Sequence, residues 1–216
     1  VRDLLHLTFD DGPQPRWTER LLDALALAGA RATFFVLGER VAAAPQLVQR
    51  AVAQGHEIGL HGERHLRHSE HGTDAIEADA RRALQRLERL GVLPTRWRAP
   101  WGIETAATHT VAARLGLELT GWTVDSHDWR GDGAAEMLER CGAAAFVPGA
   151  VVLLHDGLGP GARRSDPGGT LELTARLLAR ARAAGLAAVP LAEAGAPRPE
   201  TDDPQAAAGV QGRAAA

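Results

Sequence analysis

Leu4-Leu5-His6-Leu7-Thr8-Phe9-Asp10-Asp11-Gly12-Pro13 decides the fold. Its apolar run reads as a buried strand, β-like by length and closed by a Gly-Pro breaker. Two carboxylates stand side by side at the strand's end. Like charges this close resist ionising together unless a cation or an Arg holds one of them. The pair therefore suggests a metal ligand beside a general base. On this stretch alone a solvated Asp-Gly turn explains the residues equally well, and the rest of the chain has to break the tie.

Downstream, apolar strand-length runs alternate with segments of helical spacing. Strands are predicted at Leu4–Phe9, Ala32–Leu37, Glu57–Leu60, Arg96–Arg98, Leu117–Val124, Ala150–Leu154 and Ala187–Leu191. Helices are predicted at Trp17–Ala28, Pro45–Gln54, Thr105–Leu115, Ala134–Ala143 and Thr170–Ala184. A longer helix runs to Leu90, with Thr73 or Asp74 as its cap. Strict alternation implies an α/β fold with a parallel sheet covered by helices. About seven such units favour a distorted (β/α) barrel over an open sheet. Residues 1–195 are read as one catalytic domain, and 196–216, rich in Ala, Pro and Gly, as a disordered tail.

Composition narrows the chemistry. The chain has 216 residues, 45% hydrophobic, with a formal charge of −3 and acids and bases interspersed. No nucleic-acid partner and no transmembrane segment are expected from this balance. A single cysteine, Cys141, excludes an internal disulfide and a Cys-rich zinc site. The chain contains no Lys, Asn or Tyr, which removes Schiff-base lysines, Asn oxyanion donors and Tyr acids. None of its serines lies in Gly-x-Ser-x-Gly. His, Asp, Glu, Arg and a bound metal remain. No charged segment followed by an apolar one precedes the first strand, so the chain as written reads as cytoplasmic, with secretion or the cell envelope as the alternative if a leader was removed.

One regularity depends on no motif. Asp10, Asp11, His61, Arg98, Asp125 and His155 each stand at the carboxyl end of a predicted strand. In an α/β barrel those ends form the active-site face. Strand ends that merely precede polar loops would show Gly and Ser among the charges. His61-Gly62-Glu63-Arg64-His65 places two imidazoles four residues apart, able to face one ion. With a carboxylate from Asp11 they make a ligand set that leaves positions open for water and substrate. His68 and His71 are the competing ligands; His61 is preferred because it directly follows its strand. His6, His56 and His109 are read as structural or exposed, and His127 as lining the cleft at most.

At this point the sequence resembles the NodB-homology polysaccharide deacetylases, carbohydrate esterase family 4. Thr8 to Pro13 looks like the first family motif. His61 to His65, after Gly55-His56-Glu57-Ile58-Gly59, resembles the second. Arg98-Ala99-Pro100-Trp101-Gly102 is similar to the third, usually Arg-Pro-Pro-Tyr-Gly. Asp125-Ser126-His127-Asp128-Trp129 and Leu153-Leu154-His155 match the fourth and fifth. The resemblance implies metal-dependent hydrolysis of an acetyl group on an N-acetylated amino sugar, of the chitin-oligomer or peptidoglycan type. By position it implies Asp10 as base, Asp11, His61 and His65 as metal ligands, and His155 as acid. Arg98 would orient Asp10 and Asp125 would orient His155. The Trp101 backbone N–H would meet the oxyanion, and Trp129 and Leu153 would wall an acyl pocket.

The donor set suits one divalent ion, zinc first, then cobalt, nickel or manganese. Gly62 stands where the family has Ser or Thr, Ala99 where it has Pro, and Trp101 where it has Tyr. These departures keep open a deformylase or amidase acting on an N-acylated small molecule, and an acetylxylan-type O-acetyl esterase. A catalytically silent carbohydrate- or metal-binding protein is the reading from another class. Keeping Asp10, Arg98 and His155 together argues against silence, since binding alone requires none of them.

Overall fold

The computed structural model describes residues 3–193. The tail expected at 196–216 lies outside the described residues. β1 (Leu4–Asp10) is the central strand. Leu5 to Asp10 are all buried, as expected of a central strand in a parallel sheet packed on both faces. Its neighbours are β2 (Thr33–Val36) on one side and β7 (Val151–His155) on the other. β3 (Glu57–Leu60), β4 (Arg96–Trp97) and β5 (Glu118–Leu119) extend the β2 side. β6 (Val124–Asp125) lies outside β7, giving the order β5-β4-β3-β2-β1-β7-β6. β8 (Ala187–Ala188) pairs with the start of β1. Every pairing is parallel, and the sheet curls into a half-barrel.

The helices cover its outer face: α1 (Trp17–Leu27), α2 (Gly38–Ala43), α3 (Pro45–Ala53), α4 (Thr73–Glu88), α5 (Ala106–Leu115), α6 (Ala134–Cys141) and α7 (Gly168–Ala183). Each long helix buries one stripe. On α4 the stripe is Ile76, Ala80, Ala83 and Leu87, all at 0% exposure. α5 opens on a capping box between Thr105 and Thr108 and closes at Gly116, φ 67, as the Gly stop predicts. On α4 the expected cap fails: the helix begins at Thr73, and Gly72 is an N-cap without a side-chain bond.

Two elements differ from the sequence reading. α2 is too short to show a period, so it is invisible to pattern. The single strand expected at Leu117–Val124 is two strands at opposite edges of the sheet. Thr120 N–H donates to Trp97 O (2.9 Å) on the β4 side, and Thr123 N–H donates to Val151 O (2.9 Å) on the β7 side. Between these bonds the chain crosses the seam of the barrel. Periodicity sees one apolar run there; only the partners show that it serves two edges. Beneath the seam Phe35, Val151 and Leu191 form a small cluster of their own, with Trp122 packed against it.

Candidate active site

The β1–β7 register sets Asp10 directly beside His155. The carboxyl ends of β1, β3, β6 and β7 open onto a cavity of about 480 Å³, within the ordinary range for ligand pockets. Asp10, Asp11, His61, His65, Trp101, Asp125, Trp129, Leu153 and His155 all line it. Arg98 does not line it; it is 1% exposed and sits behind Asp10, to which it donates. Among the described residues, three of the four non-glycine residues with positive φ also line it: Asp11 (70°), Trp101 (63°) and His127 (52°). Backbone held in this sparsely populated region persists where the surroundings impose it, and it concentrates at functional sites.

Arg98 closes the seam with its guanidinium. Nε donates to Thr120 O (3.2 Å) and Nη2 to Gly121 O (2.8 Å), the carbonyls of the crossing chain. Nη1 donates to Thr8 Oγ1 (2.7 Å) and to Asp10 Oδ1 (2.8 Å). The Phe35 ring lies under the guanidinium, 4.2 Å away. One planar fork therefore joins the barrel edge to the carboxylate, a task for which Lys lacks the geometry.

Asp11, His61 and His65 converge. Their donor atoms all lie within 4.8 Å of one another. His61 Nε2 and His65 Nε2 stand 3.5 and 3.4 Å from the same atom, Asp11 Oδ1. That oxygen is buried and accepts no hydrogen bond among the described residues. Ligand atoms about 3.4 Å apart are the edges of a tetrahedron with metal–ligand bonds of about 2.1 Å. His61 Nδ1–H donates to Arg98 O (2.8 Å), which leaves the Nε2 lone pair for an ion. Burial, with His61 nearby, lowers His65 to about 4, so its ring is neutral at neutral pH, the form that binding a cation requires. Burial alone would raise the Asp11 carboxyl; the His61 imidazole beside it, and the charges of His155 and His65, hold it below its ordinary value. The residues fit a divalent cation.

The loop that carries His61 and His65 is held by backbone on one side and a carboxylate on the other. Gly38 and Glu39, the first residues of α2, donate their N–H groups to Gly62 O (2.9 Å) and Glu63 O (3.1 Å). Buried Asp79 of α4 accepts from Glu63 N–H (2.8 Å). Gly62 has φ 101, and a Cβ there would stand 2.8 Å from Asp79 Oδ2. The residue that departs from the family pattern is thus the one this loop requires, and Asp79 supplies the bracing. His68 is not near the ion site: its Nδ1 pairs with Thr108 Oγ1 (3.0 Å) and its ring packs on Trp97. His71 and His109 are exposed, while His6 and His56 are buried.

The expectation for Asp125 is corrected. The carboxylate on His155 is Asp128, whose Oδ1 accepts from His155 Nδ1–H at 2.6 Å. Asp125 instead accepts from His127 N–H (2.7 Å), with His127 Nδ1 2.9 Å from its other oxygen. The left-handed backbone at His127 and the single 3-10 turn Asp128–Arg130 turn Asp128 inward beneath His155. Burial opposes charge on His155, but Asp128 overrules it and raises the imidazole to about 9. Burial would raise Asp128, yet His155 and Arg164 hold it at about 2. The strand-end rule pointed to Asp125 and passed over Asp128. The signal available was a second Asp three residues on, directly before Trp129. Nothing in the sequence singles out Arg164, which donates to Asp128.

The family model for polysaccharide deacetylase matches residues 2–120. A chitooligosaccharide deacetylase of Bradyrhizobium sp. (strain ANU 289) is 39% identical over 163 residues, 74% of this chain and 74% of that protein. The peptidoglycan-N-acetylglucosamine deacetylase PgdA of Listeria monocytogenes (strain 10403S) is 36% identical over 151 residues, 69% of this chain and 32% of that protein. The structure of a family 4 carbohydrate esterase from Streptomyces lividans in complex with acetate superposes with a TM-score of 0.77 at 30% identity, covering 86% of this chain and 91% of that one. On motif order, fold and relatives together, the chain belongs to the polysaccharide deacetylase family of NodB-homology hydrolases.

Proposed function

We propose that this deacetylase removes acetyl groups from N-acetylated amino sugars of the chitin-oligomer or peptidoglycan type, with one divalent ion, zinc first, at Asp11, His61 and His65. The carrying observation is the meeting of an Arg-held carboxylate, a ligand set and a charged imidazole in one cavity. The ion, when bound, supplies Lewis acidity toward the acyl oxygen and eases deprotonation of water. Asp10 is the base. Its Oδ1 is engaged by Arg98, so Oδ2 takes the proton of the attacking water. As the acyl carbon becomes tetrahedral, the Trp101 N–H donates to its oxygen; this N–H meets no acceptor among the described residues. His155, protonated through neutral pH and fixed at Nδ1 by Asp128, gives the Nε2 proton to the leaving nitrogen. The C–N bond breaks to acetate and free amine. Trp129 and Leu153 wall the acyl pocket.

The test is acetate release by the zinc-loaded protein from chitotetraose, peptidoglycan fragments and acetylxylan, with formate release from formylated amines run alongside. Acetate from an N-acetyl amino sugar, abolished by chelation and restored by zinc, is expected. Formate alone, or acetate from the ester alone, would overturn the reading.

A further inference from the structure

We propose that Arg164 is a positioning residue for the leaving-group acid. Its guanidinium fixes the plane of Asp128, and through it the His155 imidazole. The inference rests on the reading of His155 as acid.

Arg164 lies in the loop between β7 and α7 and its side chain is 6% exposed. Nη1 donates to Asp128 Oδ2 (3.0 Å), to Asp128 O (3.1 Å) and to Thr170 Oγ1. Nη2 donates to His155 O (2.8 Å) and Gly157 O (3.2 Å). One side chain thus ties together the turn after β6, the end of β7, its own loop and the first turn of α7.

The two oxygens of Asp128 are used unequally. Oδ2 accepts from Arg164, from His155 N–H (2.9 Å) and from Thr170 Oγ1 (2.5 Å). Among the described residues Oδ1 accepts only the His155 imidazole. Three donors on one oxygen remove the carboxylate's freedom to rotate, so the other oxygen meets Nδ1 at a fixed angle. Without Arg164, Oδ2 keeps the His155 N–H and Thr170 donors but loses its charged one, so the carboxylate can rock about that oxygen and the imidazole follows it. A planar fork reaching five acceptors is Arg chemistry; an ammonium carries three donors on one atom.

A purely structural buried ion pair would make a different prediction. Losing it would lower stability and slow every substrate alike. Losing the angle of the acid selectively harms reactions whose leaving group needs a proton. An amide needs that proton far more than an activated ester does.

The experiment uses zinc-loaded full chain and the variants Arg164→Met, Arg164→Lys, Thr170→Val, Asp128→Asn and Arg164→Met/Asp128→Asn, each checked for fold and metal content. kcat and KM are measured on chitotetraose and on 4-nitrophenyl acetate. Arg164→Met should lower amide kcat about 30- to 100-fold, part of the ~10²- to 10⁴-fold that a positioned acid contributes, with KM changed less than about 3-fold. The ester should lose less than about 3-fold, and Arg164→Lys should recover little. Thr170→Val, which removes one Oδ2 donor and keeps the ion pair, should show the same bias more weakly and serves if Arg164→Met does not fold. In the Asp128→Asn background Arg164→Met should add less than about 3-fold, because it acts through that carboxylate. Equal losses on both substrates, or losses that multiply in the double variant, would overturn the proposal. Failure of the wild type on every amide would instead overturn the deacetylase reading. The proposal then stands or falls on the downfield Nδ1 proton of His155 by NMR, expected in the wild type and broadened away in Arg164→Met.

Discussion

Asp10 and Asp11 differ by one peptide unit and by everything their side chains touch. Asp10 ends the extended strand and points along it to Arg98. Asp11 has φ 70, leaves the strand direction, and faces two imidazoles with no hydrogen-bond donor on Oδ1. On the proposed roles, an amide at Asp10 should leave the ion in place and remove the base. Asp10→Asn is expected to retain metal while kcat/KM falls by about 10²-fold or more. Asp11→Ala should lose the metal itself, since it removes one of three ligands. Metal content of both purified variants, measured by elemental analysis, checks the division; the reverse result would exchange the two roles.

At the scale of elements, the seam between β5 and β6 is where the barrel lacks a ladder. Arg98 takes its place, donating to Thr120 O, Gly121 O, Thr8 Oγ1 and Asp10 at once. Its replacement leaves a buried carboxylate and two carbonyls without donors. Breaking a buried pair from one side costs about 3–5 kcal/mol. Arg98→Met is expected to lose stability on that scale in urea titration of the metal-free chain, with Arg98→Lys recovering only part of it. A loss below about 1 kcal/mol, the scale of an exposed pair, would mean that the seam is held by other contacts.

For the molecule as a whole, buried histidines of opposite sense set the pH of greatest stability. Burial, before the charges of nearby groups, lowers His56 and His68 to about 4, against 6.5 for an unperturbed imidazole. Between those values the unfolded chain binds more protons, so stability falls as pH drops below 6.5. Asp128 raises His155 to about 9 despite burial. Between 6.5 and 9 the folded chain binds more protons, so that contribution is complete below 6.5 and is lost as pH rises through about 9. Burial raises Asp156 to about 7, which draws the balance toward lower pH, so the metal-free protein should be most stable at or just below pH 6.5. Urea midpoints from pH 5 to 9.5 check this, and in His155→Gln the decline on the alkaline side should flatten. No described helix is long and apolar enough to cross a membrane. Much of this molecule was legible in its sequence, because a parallel sheet writes itself as buried apolar runs and aims every strand end at one face. Asp10, Asp11, His61, Arg98, Asp125 and His155 follow such runs; all but Arg98 line the cavity, and Arg98 holds Asp10 there. The tertiary structure alone decided what periodicity does not encode. Asp128 rather than Asp125 meets His155 because a left-handed residue and one 3-10 turn redirect the side chain. The run at Leu117–Val124 divides because its two ends pair with β4 and β7 at opposite edges. Arg164, 36 residues from Asp128, reaches it only because β7 and its following loop fold back across the turn after β6.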